Sequence, residues 1–156
     1  MIKEFNSLEG ILDRDRLKLG NNILEPMIAG IESSGKIKNF YLREYVVSHR
    51  SDNISSINAH IYVCSKIFSF LDVFSTPVFN LDIVLYGYGN YSTIFRGSRS
   101  CNSINYTDCN ITLSKNFHPR FKDFFKYFNP KAYALKTRIK NEFSVSRMNF
   151  EYSHPI

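Results

Sequence analysis

The chain has 156 residues, 44% of them hydrophobic, with 14 Phe and 10 Tyr, which excludes a disordered chain and is enough for one domain with a real core spanning 1–156. The formal net charge of +6 belongs to the second half: residues 1–60 balance eight cations with eight acids, whereas residues 61–156 hold twelve cations against six acids. Such an imbalance points to a polyanionic partner, with simple solubility as the plain alternative.

Ser7 is placed to cap a first helix over 8–19, with Leu8, Ile11 and Leu12 on one side and Gly20 as its C-terminal stop. Asn21 to Pro26 reads as a connector, because Pro26 cannot continue an incoming helix and biases Glu25 to extended geometry. Ser33-Ser34-Gly35 makes a turn, and Lys36 to Val47 is rich in strand formers. Ile57, Ile61, Cys64, Phe68 and Leu71 suggest a helix over 54–74, stopped by Thr76-Pro77. Val78 to Leu85 reads as a strand, Gly87 to Ser92 as a glycine-punctuated break, Thr93 to Arg96 as a short strand and Gly97 to Asn105 as a polar loop.

A strand at Cys109 to Leu113 leads into a helix with Phe117, Phe121, Phe124, Phe125 and Phe128 on one apolar face. From Cys109 to Arg147 nine cations face two acids, so burial of the aromatic stripe leaves a positive outer side. Phe143 to Tyr152 closes the chain as a strand with Phe143, Val145 and Met148 inward. The order predicts an α+β fold, RRM/ferredoxin-like, with helices packed on one face of a mainly antiparallel sheet.

Few residues suggest catalysis. His49, His60, His118 and His154 make neither HExxH nor a Cys/His metal spacing, so no metal site and no cofactor are expected. Cys64 reads as a small core residue in the second helix and Cys101 as part of the polar loop. With Cys109 they form no CxxC pair, which disfavours a disulfide framework and fits a reducing compartment. Phe95-Arg96-Gly97 resembles the strand arginine of ADP-ribosyltransferases, but no Glu-x-Glu or Gln-x-Glu follows. Gly87-Tyr88-Gly89 is not a phosphate loop, since neither Lys-Ser/Thr nor a completed GxGxxG follows. Arg96 and Arg99, near Tyr86, Tyr88 and Tyr91, combine guanidinium groups for phosphates with rings that stack on bases; a solvated hairpin tip is the bland reading. The longest apolar run is broken by Ser65, Lys66, Ser69 and Asp72, so no membrane span is expected. The opening Met1-Ile2-Lys3-Glu4-Phe5 lacks the apolar block of a secretion signal and the Arg- and Ser-rich character of an import sequence. Abundant Phe, Tyr, Ile, Asn and Lys suggest an AT-rich gene of an organelle or a low-GC bacterium.

The order of pieces resembles the universal large-subunit ribosomal protein of the "L five" family, which binds 5S rRNA at the central protuberance, in its mitochondrially encoded form. Asn22-Ile23-Leu24-Glu25-Pro26 is similar to the family's helix exit, Lys36-Ile37-Lys38-Asn39-Phe40 to its first strand, Ile57–Phe74 with Thr76-Pro77 to its next helix and closing turn, Arg96–Asn105 to its long basic loop, and Asn110-Ile111-Thr112-Leu113-Ser114-Lys115 to its "Val-Thr-Leu-Arg-Gly" strand without the Arg-Gly. Asn141 to Ser153 is similar to a later strand and its "Phe-Pro-Glu" neighbourhood. The family's further strand and helix have no counterpart here. The resemblance implies a non-catalytic ribosomal protein in the mitochondrial matrix, or in the cytoplasm of a low-GC bacterium. It implies rRNA contacts through Asn21, Asn22, Lys36 and Lys38, with Arg43, Lys115, Arg120 and Lys122 as further RNA-binding candidates. It also implies a loop with Tyr88, Tyr91, Arg96 and Arg99 that approaches the peptidyl-site tRNA, and other ribosomal proteins, including those of the small-subunit head, as neighbours. Two other classes stay open. One is a small basic nuclease or RNA-modifying toxin using His118, Arg120 and Glu142; the other is a protein-binding module built on the Phe helix.

Overall fold

The computed structural model describes residues 7–34, 40–51, 54–65, 77–95, 98–115 and 122–153. Helix α1 (Leu8–Leu17) passes into a π-helical stretch (Lys18–Leu24) and then α2 (Glu25–Ser33). Strands β1 (Phe40–Ser51), β2 (Ile54–Ser65), β3 (Pro77–Phe95) and β4 (Ser98–Lys115) follow, then helix α3 (Lys122–Phe143) and strand β5 (Arg147–Ser153). The fold is α+β: a five-stranded sheet in sequential order, antiparallel from β1 to β4 and parallel between β4 and β5. The helices cover one face, a layering consistent with the ferredoxin-like arrangement expected. Because β5 runs parallel to β4, the chain must cross from one end of the sheet to the other, and α3 makes that crossing.

Side-chain alternation builds the two faces. Ile57, Ala59, Ile61 and Val63 of β2, Leu81, Ile83 and Leu85 of β3, and Cys109, Ile111 and Leu113 of β4 are buried under the helices. They meet Leu8, Ile11 and Leu12 of α1, Leu19, Ile23 and Leu24 of the π stretch, and Phe128, Ala132, Leu135, Ile139 and Phe143 of α3. The intervening residues of each strand form an uncovered polar face.

Several sequence expectations are corrected. The stretch Ile54–Ser65 is a strand, not a helix. Ile57 and Ile61 are four apart, a spacing that suits both periods, and the buried Ala59 and Val63 beside them decide for period two. Residues 66–76 of the expected helix lie outside the described residues, as do Phe117 and Phe121. Gly20 does not end a helix, and 21–26 is no connector. The Glu25 N–H reaches the Gly20 carbonyl in the wider π register, and Pro26 sits in the first turn of α2, where its missing N–H is tolerated.

The glycine break and the polar loop are strand as well: β3 and β4 pair from Phe79↔Lys115 to Phe95↔Ser98, with register shifts at Tyr86/Gly87, Asn90/Tyr91 and Thr93/Phe95. β-Bulges absorb what composition suggested were interruptions. Cys101 is therefore buried in a strand rather than exposed in a loop, its thiol donating to the Ser103 carbonyl at 3.3 Å. Cys64 lies in β2, not in a helix. Phe143 ends α3 instead of opening the last strand, and Ser144 reverses the chain at φ 52° before Val145 returns to the core. The inward packing expected of Phe143, Val145 and Met148 is present.

Candidate nucleic-acid interface

Alternation along α3 separates a buried seam, Phe128 to Phe143, from exposed Lys126, Lys131, Arg138 and Lys140 and half-exposed Lys136. Lys131 lies over the Tyr127 ring at 5.8 Å and Lys136 over Tyr133 at 5.5 Å, so cation–π contacts hold two of these chains against their own helix. Among the described residues none of these five cations makes an ion pair with an acid. Elsewhere cations are matched: Arg16 with Asp13, Arg50 with Glu9 and Arg147 with Asp108.

The C-terminal half of α3 is tied to the π-helical stretch. Arg138 Nη2 donates to the Asn22 carbonyl at 2.8 Å, and Lys18 Nζ donates to the Glu142 carbonyl at 3.0 Å. Lys18 also lies 3.7 Å from Glu142 Oε2 and 5.0 Å from the Phe143 ring centroid. A cation at a helix C-terminus meets the unsatisfied carbonyls and the negative end of the dipole there. The widened π turn thus has a role: it offers a carbonyl to Arg138 while Asn21 and Asn22 stay exposed.

Beside this junction a cleft of about 620 Å3 opens between α1, the end of α3 and the base of the β3–β4 arm. Arg14, Lys18, Tyr88, Asn90, Asn105 and Glu142 line it. A neighbouring depression shares Arg14, Asp15 and Lys18 and reaches Asn21 and Asn22. One buried polar contact holds the floor. The Tyr106 hydroxyl donates to Asp15 Oδ2 at 2.8 Å, and Arg14 Nη2 approaches Asp15 Oδ1 at 3.4 Å. Burial, and then the Asp15 charge, raises the Tyr106 hydroxyl well above the ordinary phenol range, so it stays a donor. Away from the cleft, burial pushes the Cys109 thiol up to about 12, and burial followed by the Glu25 charge raises Glu44. A thiol so buried and so rarely ionised is no nucleophile.

The structure therefore brings together two of the regions singled out by sequence. Asn21 and Asn22, on the π turn, and Tyr88, on β3, converge on Arg14 and Lys18. Sequence reasoning passed over Arg14 and Lys18, although their i, i+4 spacing was a usable signal. Tyr91 is exposed further along β3, in a strand rather than a loop. Arg43 is exposed on the uncovered sheet face, away from this cleft. Arg99 and Lys115 lie in β4 and Lys122 opens α3; Lys36, Lys38, Arg96, Arg120 and His118 lie outside the described residues. Glu142, named for the nuclease reading, is engaged with Lys18. Among the described residues no cluster of His, Cys, Asp and Glu could hold a metal ion, and no helix is long and apolar enough to cross a membrane. No family model matches the chain, and searches of curated proteins and of solved structures return no match.

Proposed function

We propose that this chain is a non-catalytic rRNA-binding constituent of the large ribosomal subunit, of the "L five" type. It binds 5S rRNA, or the RNA in its place, at the central protuberance of an organelle ribosome. The reading rests on the sequence resemblance and on one physical observation: the apolar seam of α3 is buried while five cations, unpaired with acids among the described residues, remain on its flanks and outer side. Arg14 and Lys18, paired with Asp15 and Glu142, adjoin that positive surface at the corner where the exposed amides of Asn21 and Asn22 lie. Contacts of this kind grip phosphates and position a folded RNA, with little base readout. On this reading the arm formed by β3 and β4, with Tyr88 and Tyr91, is the part directed toward the peptidyl-site tRNA and the small-subunit head.

The test is binding of the purified chain to structured 5S-type RNA across a salt series. Binding should weaken steeply with salt. The combined variant Lys126→Glu, Lys131→Glu, Lys140→Glu should bind more weakly, its salt slope shallower by roughly 0.7–0.9 for each phosphate no longer neutralised. RNA binding no stronger than that of a neutral protein at low salt would end this reading. In native extracts the chain should comigrate with large subunits on a sucrose gradient.

A further inference from the structure

Between α2 and the middle of α3 lies a groove of about 310 Å3, separate from the cleft described above. Its apolar lining includes Met27 and Ile31 from α2 and Ala134 and Leu135 from α3. Ile31 and Leu135 are buried, whereas Met27 is half-buried and Ala134 is exposed. On α3 the lining residues Lys131, Ala134, Leu135 and Arg138 follow one helical face.

Gly30, on the α2 wall, is the informative residue. It lies inside a helix, where glycine is disfavoured relative to alanine because it loses more backbone freedom. The fold does not require it: a Cβ added there would meet no atom within 4 Å. Gly30 thus keeps open a space that this chain itself does not use, as close approach of another backbone demands.

Charge narrows the choice of occupant. The acids of α2 are turned toward β1: Glu32 Oε1 accepts from the Leu42 N–H at 3.3 Å, and the Glu25 charge acts on Glu44. The charged residues lining the groove are Lys131 and Arg138, seven positions apart and so roughly 10 Å apart along the helix axis. Neither is paired with an acid among the described residues. Arg138 gives one N–H to the Asn22 carbonyl, which leaves the rest of its fork for a carboxylate. RNA phosphates would meet both cations but leave the apolar lining uncovered. A second copy of the chain would bring its own Lys131 and Arg138 against these two. A helix whose apolar stripe is flanked by carboxylates answers both demands.

We propose that the α2–α3 groove is the docking site for an acidic amphipathic helix of a partner protein, its apolar stripe over Met27, Gly30 and Leu135 and its carboxylates against Lys131 and Arg138. The proposal goes beyond the rRNA reading and does not depend on it. The test is fluorescence anisotropy of the full chain with a labelled synthetic peptide of roughly five helical turns, a leucine stripe flanked by glutamates. A second peptide carries glutamine in place of each glutamate and should bind roughly 2- to 30-fold more weakly. Lys131→Ala should narrow that difference by weakening only the glutamate peptide. Gly30→Leu, which fills the groove, should weaken the glutamate peptide roughly 5- to 150-fold without lowering the melting temperature. Gly30→Ala should raise the melting temperature, because the fold alone gains from losing this glycine. No binding of the glutamate peptide, or equal binding to the unaltered chain and Gly30→Leu, overturns the proposal. So does a lower melting temperature for Gly30→Ala, which would make the glycine a need of the fold. A dimer that Gly30→Leu dissolves in sedimentation gives the groove to a second copy, and loss of structured-RNA binding in Gly30→Leu gives it to RNA; either result overturns the proposal.

Discussion

At the scale of single residues, Tyr106 shows how one polar contact governs the corner where the cleft forms. Its hydroxyl meets the carboxylate of Asp15, itself 6% exposed, and so joins α1 to β4. Replacing Tyr106 by Phe leaves that buried carboxylate short of a donor, at a cost of about 2 kcal/mol. In a chain of this size that lowers the melting temperature by roughly 4–8 °C, measured by thermal denaturation. The sign of the pH dependence follows from the raised hydroxyl. Its contribution is complete below the ordinary phenol value of 10.0 and is lost as pH rises above it, because the unfolded chain then gives up a proton that the folded chain keeps. The unaltered protein should therefore lose more stability above pH 10.0 than the Phe variant does. None of this was legible in sequence: Asp15 and Tyr106 are 91 residues apart, and each alone looks like an ordinary surface or strand residue.

At the scale of elements, the β3–β4 pair is where composition misled most. Gly87, Gly89, Asn90 and Ser92 read as a loop, yet both strands continue through that region by means of bulges. Gly87 is there because the sheet is tight. A Cβ at that position would lie 2.7 Å from the Asn105 carbonyl oxygen and 2.8 Å from Ile104 Cγ2. Gly87→Ala must therefore shift β4 backbone, and it should lower stability in urea denaturation by about 1–3 kcal/mol, the usual range for overpacking. A variant as stable as the original would mean that the arm adjusts freely. The helical stripe, by contrast, was legible as a buried aromatic face, and its one described member with a placed side chain, Phe128, is fully buried. The seam then runs further than the Phe pattern foretold, because Ala132, Leu135 and Ile139 continue it beyond Pro130.

At the scale of the whole molecule, the parallel strand β5 closes the sheet at one side. It pairs with β4 from Asp108↔Arg147 to Ser114↔Ser153 and is reinforced by the Tyr152 hydroxyl donating to Asn129 of α3. Truncation after Ser146 would turn β4 into an exposed edge and uncover the surfaces on which Met148 and Phe150 pack. Such edges pair with other chains. The truncated protein should therefore aggregate or self-associate at concentrations where the full chain is monodisperse, read by analytical ultracentrifugation; an unchanged sedimentation profile would show that β5 is dispensable. The same view of the whole separates two sides with different chemistry: cations over α3 on one, rings and amides over β1–β3 on the other.

What the amino-acid order determined by itself was the α+β class, the one-sided burial and the basic second half, because each follows from local periodicity or simple counting. Phe128 and the lysines around it declare their opposite faces through helical spacing alone. The tertiary structure decided the rest. Whether Ile57 and Ile61 belong to a helix or a strand depends on β1 and β3 pairing on either side, since their spacing satisfies both periods. Whether Arg14 and Lys18 share a surface with Asn22 and Tyr88 depends on Arg138 and Glu142, more than a hundred residues further along the chain. Contacts across such separations are set by how layers pack, and packing leaves no short-range trace for a reader of sequence.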